Sequence, residues 1–425
     1  MLPTYYFTCG IAFVAYLLIV RFFRYRRRDE VVAKYNRKGK PLADMTVEEA
    51  HEIMTVLQEL EFPYAFQKAR TVSLLKAGGI PTMSKLFAVT GQNTRRNAGK
   101  RAVDTEILLR EVHHNSRDSE RYLKAVSRMN YLHARYRKAG KILDDDMLHT
   151  LGSGVVEAFR IVEGEEWRGL SEVERCAVGV FHWALGEDLG IPWGSLSSSS
   201  SSNSSPSLGK EGVGWKDGAH FAAELREWTV GYEARVARFT ATNDQYVRVY
   251  VDSAVSALPR VFTTLLRKMV AGELDEVMRA TLGLEKPGIL LRIIISISKT
   301  IRKLLLRHLS LPRPHFLAVK ALHSTPNPQT GLYNFFRTSL QPWYVRKDFW
   351  STWGPGALFV KMMGGRLAGS GGDRFYPQGY DLMTIGPKPQ EGKGKEDMVA
   401  TMEFLRARNM EGCPFQKGFG EKRQM

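Results

Sequence analysis

Residues 2–20 carry no charge, and the eight positions that follow hold five arginines, Arg21, Arg24, Arg26, Arg27 and Arg28. The uncharged run includes Phe7, Ile11, Phe13, Val14, Leu17, Leu18, Ile19 and Val20. As a helix rising about 1.5 Å per residue, it is just long enough for a hydrocarbon core about 30 Å thick, helped by Arg21 reaching back to the interface. Tyr5, Tyr6 and Tyr16 suit the two interfaces. A cleaved signal peptide would place its basic residues before the apolar run and small residues after it, the reverse of the order here. A buried core helix is the other alternative, and the arginine flank argues against it. The pattern therefore predicts an uncleaved single-pass anchor over residues 6–23 and a basic juxtamembrane segment over 24–45, continued by Lys34, Arg37, Lys38 and Lys40. By the positive-inside rule, the N-terminus (residues 1–5) is expected to be lumenal and the body cytosolic.

The remaining chain, 46–425, is long enough for one large domain. Its three cysteines, Cys9, Cys176 and Cys413, are too few and too scattered for a disulfide framework, and no Cys-x-x-Cys pair suggests zinc or redox chemistry. The net charge of +17 admits nucleic acid or an anionic membrane as a partner. Because the basic residues cluster beside a span and no recognition motif accompanies them, nucleic acid is not expected. Thr46 with Glu49, and Ser171 with Glu174, form capping-box patterns ahead of helically spaced apolar residues. Further helices are expected at about 64–76, 82–89, 103–112 and 119–138, and from about 219 to 283 with breaks near Thr242, Pro259 and Gly272. No alternating strand pattern appears in the first half. The serine-rich stretch 195–207 reads as a surface loop, and its Asn203-Ser-Ser205 is a formal glycosylation sequon. Residues 288–308 interleave isoleucine and leucine with Arg292, Lys299, Arg302, Lys303 and Arg307. That suits an interfacial helix or a buried helix with a wet basic edge. Beyond Pro326, the glycine, proline and aromatic content predicts a tail wrapped over a helical core.

Phosphate-loop, nucleophile-elbow and His-Glu-x-x-His signatures are absent. Asp144-Asp-Asp146 invites a magnesium–diphosphate reading, but Met147 and Leu148 stand where a further carboxylate is needed, so helix capping is preferred. His133 projects from the apolar face shared by Tyr122, Val126 and Met129. It is either a packed core histidine or an axial haem ligand, since both want a neutral imidazole in an apolar helical pocket. His113 and His114 fall near a helix end, where solvated or capping roles are the default; His149 and His182 are weaker candidates.

Several further segments occur in a specific order: Leu60-Glu-Phe-Pro63, Arg101-Ala-Val-Asp-Thr105, Leu132-His133 with Gly140-Lys-Ile-Leu-Asp144, Glu166-Trp-Arg-x-Leu-Ser171, Glu174-Arg-Cys-Ala-Val-Gly179, Leu311-Pro-Arg-Pro314 and Tyr376-Pro-Gln-Gly-Tyr380. In that order, and with the anchor, they resemble the fungal mpaB-type ER-bound oxygenases, related to the rubber oxygenase (latex-clearing) catalytic domain. The resemblance spans nearly the whole chain. It implies an all-α, globin-like helical bundle that binds haem b, with dioxygen as co-substrate, at the endoplasmic reticulum membrane. His133 matches the family's proximal iron ligand, and Arg101 and Thr105 match its distal-side arginine and threonine. Asp104 replaces the family's lysine, which leaves a distal lysine ligand in doubt. The implied roles are a metal bond from His133, pairing of Arg101 with a haem propionate or polarisation of dioxygen by it, and a hydrogen bond from Thr105. Alternatives stay open: Arg101 as an ion-pair partner at a helix N-terminus, and Thr105 as a cap.

The implied reaction is oxidative scission of a double bond in the prenyl chain of a secondary-metabolite intermediate, giving an aldehyde or acid. A membrane enzyme suits this lipophilic substrate, and association with other enzymes of the same pathway is a further expectation. The competing expectation is a membrane-anchored helical binding or scaffold protein without catalysis.

Overall fold

The uncharged run and its arginine flank form two helices, α1 (Leu2–Arg24) and α2 (Arg26–Lys38), separated by a turn at Tyr25. In the computed structural model, which describes residues 2–197, 214–255, 260–408 and 412–415, the N-terminal helix is long and apolar enough to cross a membrane. Phe7, Ile11, Phe13, Val14 and Leu18 are exposed along it. Its inner end is fixed to the body: the Arg24 guanidinium lies 4.0 Å from the centre of the Trp167 ring, and Tyr25 meets the same indole edge-on.

Both capping boxes form. The Thr46 hydroxyl accepts from the Glu49 N–H and the Glu49 carboxylate from the Thr46 N–H, each at 3.1 Å, opening α3 (Val47–Val56). A π-helical turn over Leu57–Glu61 leads to α4 (Pro63–Ala77) and α5 (Pro81–Val89), each with proline in its first turn, where no N–H is needed. Next come α6 (Ala98–His114), which begins five residues before its expected start, and α7 (Glu120–Lys138), capped by Ser119. α8 (Asp144–Glu165) starts with the Asp146 carboxylate accepting from the Leu143 N–H, and Ser171 with Glu174 opens α9 (Glu172–Asp188). After the short α10 (Gly194–Ser197), most of the serine-rich stretch, including the sequon, lies outside the described residues.

The chain resumes in α11 (Gly218–Val236), α12 (Ala241–Val255), α13 (Arg260–Glu273), α14 (Glu276–Thr281) and α15 (Ile289–His308). Helices α4, α8, α9 and α11 form the centre of the core, with α3 against α9. Backbones touch between α9 and α11: a Cβ on Gly179 would lie 1.7 Å from the Gly218 carbonyl oxygen, so both positions need glycine. One buried charge cluster ties four elements together. The Lys76 ammonium contacts Glu157 at 2.9 Å, Glu233 at 3.0 Å and Asp275, the cap of α14, at 2.8 Å. His149 Nε2 lies 3.0 Å from the other Glu233 oxygen.

The expected wrap is present. Residues 309–394 contain only short helices, among them α16 (Phe349–Trp353) and α17 (Pro355–Met362), before α18 (Lys395–Ala407) packs along α7. No strand forms among the described residues, only isolated bridges such as Tyr333 with Tyr380. The wrap is held by Arg128 of α7, fully buried, which donates to the carbonyls of Thr384, Ile385, Gln390 and Lys393 at 2.7–3.2 Å. Tyr380 adds a 2.6 Å hydrogen bond from its hydroxyl to Glu111, which is paired with Arg121.

Candidate functional site

Arg101 and His133 meet where α6 begins and α7 ends, because the two helices pack side by side with Arg101 in the first turn of one and His133 near the end of the other. The His133 imidazole is half-buried, and its Nδ1 is shielded from solvent with no hydrogen-bond partner. Burial, with the positive charges of Arg137 and Arg101, pushes its pKa down to about 4. The ring is therefore neutral near pH 7, with a nitrogen lone pair to give.

Arg101 is held still. Its guanidinium lies 3.8 Å from the centre of the Phe87 ring and close to Tyr246, whose hydroxyl donates to the Leu74 carbonyl at 2.9 Å. Tyr246 stacks on Tyr250 and leans on Phe87. This aromatic floor needs Gly78, where a Cβ would sit 2.0 Å from the Tyr246 ring. Arg101 has no carboxylate partner among the described residues, so the ion-pair alternative is not what the structure holds. Thr105 lies one turn further along α6, inside the helix rather than at its start, and its hydroxyl donates to the Arg101 carbonyl at 2.9 Å. The capping alternative fails with it, and the hydroxyl oxygen remains free to accept.

Asp104 faces the wrap. Its carboxylate accepts from Lys100 at 2.8 Å and from the Tyr344 hydroxyl at 2.6 Å. Burial raises its pKa to about 6, against the pull of Lys100. Tyr344 reaches it from a left-handed backbone conformation with φ of 61°. Lys100 also bonds the Gly386 carbonyl at 2.8 Å.

The other histidines divide differently from the expectation. His113 is buried, not solvated, because α6 carries it beneath α9. It packs against Phe181 and His182, with the two imidazole centres 5.8 Å apart. His113 Nδ1 lies 2.6 Å from the Leu109 carbonyl and His182 Nδ1 lies 2.7 Å from the Val178 carbonyl, which assigns the proton to Nδ1 in both. Burial holds both neutral, His182 near a pKa of about 4. The only sequence trace of this pair is that each histidine stands four residues after an apolar helix position. His114 contacts Glu59, and His149 is committed to Glu233. Asp144, Asp145 and Asp146 turn to Arg137, Ser195 and Thr82 respectively, so they do not converge on one point. Among the described residues, no group of three or more histidine, cysteine or carboxylate side chains is placed to hold a metal ion by itself.

No family model matches the chain. Curated proteins do. The chain is 35% identical over 408 residues to an ER-bound oxygenase named mpaB' from Penicillium brevicompactum, covering 95% of this chain and 92% of that one. It is 34% identical over 376 residues to the ER-bound oxygenase mpaB of the same organism, covering 86% and 84% of the two chains. The chain belongs to the mpaB family of ER-bound oxygenases. A third member, from Penicillium roqueforti, is 36% identical over 268 residues, which is 63% of this chain and 86% of its own. Membership accords with the membrane-competent N-terminal helix and with the all-helical body that follows it.

Proposed function

We propose that this mpaB-family chain is a haem-dependent oxygenase that splits a carbon–carbon double bond in the prenyl chain of a secondary-metabolite intermediate. His133 would be the protein's ligand to the iron. The observation that carries the reading is His133 itself: a neutral, half-buried imidazole with an unpartnered Nδ1, next to an immobilised arginine. Among the described residues it stands without a second histidine or carboxylate to complete a metal site, a donor set that would suit a metal already held within a cofactor.

Haem b, when bound, supplies an iron centre that activates dioxygen toward an electron-rich alkene. His133 would hold the iron through a ring nitrogen, and the burial and neighbouring arginines that keep the imidazole unprotonated keep its lone pair available. Arg101, fixed by Phe87 and Tyr246, offers a stationary positive charge to a propionate or to a developing negative charge on oxygen. Thr105, whose proton is used on the Arg101 carbonyl, serves as an acceptor and fixes the turn that carries Arg101. The overall chemistry balances when each alkene carbon receives one atom of a single dioxygen, yielding an aldehyde and a second carbonyl compound; a later enzyme can oxidise the aldehyde. Prenyl chains gain about 0.8 kcal/mol per CH2 on entering a bilayer, so a membrane-held enzyme meets them at high local concentration. The arginine flank supports a lumenal N-terminus and a cytosolic body.

The test is spectroscopic. Full-length protein purified in detergent and incubated with hemin is expected to show a Soret band that disappears in His133→Ala while helicity is retained. Well-folded wild-type protein that stays colourless would overturn the assignment. With a prenylated phenolic substrate and 18O-labelled dioxygen, one labelled oxygen is expected in each cleavage product.

A further inference from the structure

Helix α15 is built inside out. None of its residues is buried, and Ile289, Ile293, Ile297, Ile301 and Leu304 are 49–68% exposed. At 100° per residue, its exposed isoleucines and leucines fall within an arc of about 160°. The side that faces the protein carries its charges beside Ile295, which lies against Gly272, and Leu306, which packs on the core. Arg302 donates to the Glu165 carbonyl at 3.0 Å and to the Glu166 carboxylate at 2.9 Å, and Lys299 pairs with Glu165 at 2.9 Å and Glu273 at 3.1 Å. A surface helix in water does the opposite, turning its apolar stripe to the core and its charges outward.

The apolar side continues into the anchor. The Tyr16 hydroxyl donates to the Leu309 carbonyl at 2.7 Å, Arg24 reaches the Leu311 carbonyl at 3.5 Å, and Arg27 donates to the Arg313 carbonyl. These bonds set the end of α15 beside the last turns of α1, where its apolar run gives way to arginines. A cleft of about 670 Å³ opens there, lined by Arg21, Arg28 and Arg307 with Tyr25, Asp29 and Trp167. Arg28 is paired with Asp29, whereas among the described residues Arg21 and Arg307 have no carboxylate partner and the buried indole N–H of Trp167 has no acceptor. A second cleft, of about 740 Å³, flanks the other end of the helix with Lys286, Arg292 and Lys303.

We propose that α15 is a second membrane contact, lying in the plane of the leaflet where the anchor's arginine end emerges. Its apolar arc sits among acyl chains, and the arginine cleft beside α1 seats the headgroup of an anionic phospholipid. The occupant is a lipid surface because the exposed arc is contiguous with a helix fit to cross a membrane, and because the clefts at both ends are cationic. This assignment is independent of the haem reading and of which compartment the body faces.

The test uses full-length protein in vesicles of phosphatidylcholine, with or without phosphatidylinositol. An environment-sensitive fluorophore is placed at Ile297→Cys in a Cys9→Ser, Cys413→Ser background, with Glu403→Cys, exposed on α18, as the reference. The probe at 297 is expected to be quenched several-fold more by acyl-chain nitroxide lipids than by iodide, with the order reversed at 403. The same pattern is expected at Ile293→Cys. Iodide quenching at 297 equal to that at 403 overturns the contact, as does shielding from both quenchers, which would mean a protein partner covers the helix. For the headgroup, phosphatidylinositol retained through purification is expected to fall several-fold in Arg21→Gln with Arg307→Gln, with quenching at 297 unchanged. Retention equal to wild type overturns the cleft assignment.

Discussion

Helices α8 and α15 are of similar length, 22 and 20 residues, yet α8 buries Leu148, Val155, Ala158, Ile161 and eleven other residues besides, while α15 buries none. Both are amphipathic. What separates them is the sign of the contact. α8 places apolar residues against α4 and α11 and pairs its buried Glu157 with Lys76, whereas α15 meets the body with charges beside Leu306 and leaves most of its isoleucines outside. The comparison teaches that amphipathicity names an interface without naming its partner, and that this molecule is shaped for two solvents.

The largest expected effect lies in the buried cluster under α8. Lys76→Met leaves Glu233 and Asp275 without their lysine and Glu157 with Arg160 alone, and is expected to cost about 3–5 kcal/mol in denaturant unfolding of the detergent-solubilised chain. Full stability in that variant would mean the cluster is hydrated and the contrast with α15 overstated. Arg128→Ala is expected to cost about 3 kcal/mol and to make the segment after residue 380 protease-sensitive before the core opens, because four carbonyls lose their donor. Leu148→Ala should cost about 2–5 kcal/mol, whereas Leu304→Ala in detergent should stay within about 0.5 kcal/mol of wild type. Equal losses would show that α15 is packed on protein.

Acid tests a different set of groups. The pKa values of His133 and His182 are lowered to about 4, so the unfolded chain binds their protons first. Their contribution to stability is whole above pH 6.5 and is lost as pH falls through about 4. Asp104, raised to about 6, acts with the opposite sign, its folded form binding the proton first. Asp104→Asn is therefore expected to steepen the loss of unfolding free energy between pH 6 and 4, measured by urea midpoints across that range.

The parts of this architecture that were legible in the sequence are those decided locally. The capping boxes of Thr46 and Ser171 place helix starts within one residue because both partners lie three positions apart. The anchor and α15 show themselves through composition alone, although only the structure shows which side of α15 meets the body. The expectation for His113 failed because burial is set by α9, some seventy residues later. Lys76 and Arg128 look like ordinary helix-surface cations in the chain; their partners lie 81 to 265 residues away. For the candidate site, the resemblance marked Arg101 and His133, but nothing in the local pattern ties Phe87, Tyr246 and Gly78 to Arg101. That aromatic floor is assembled from three helices or their ends.

The arginine clamp on the wrap also sets a schedule for synthesis. Arg128 finds its first carbonyl partner 256 residues downstream, at Thr384. At about 5–20 residues per second, the ribosome delivers that partner roughly 13–50 s after the arginine itself. Throughout that interval α7 carries a cation with nowhere dry to go, so closure of the wrap over α7 waits for the segment around residue 384. A chain truncated before residue 384 would leave Arg128 without these carbonyl partners.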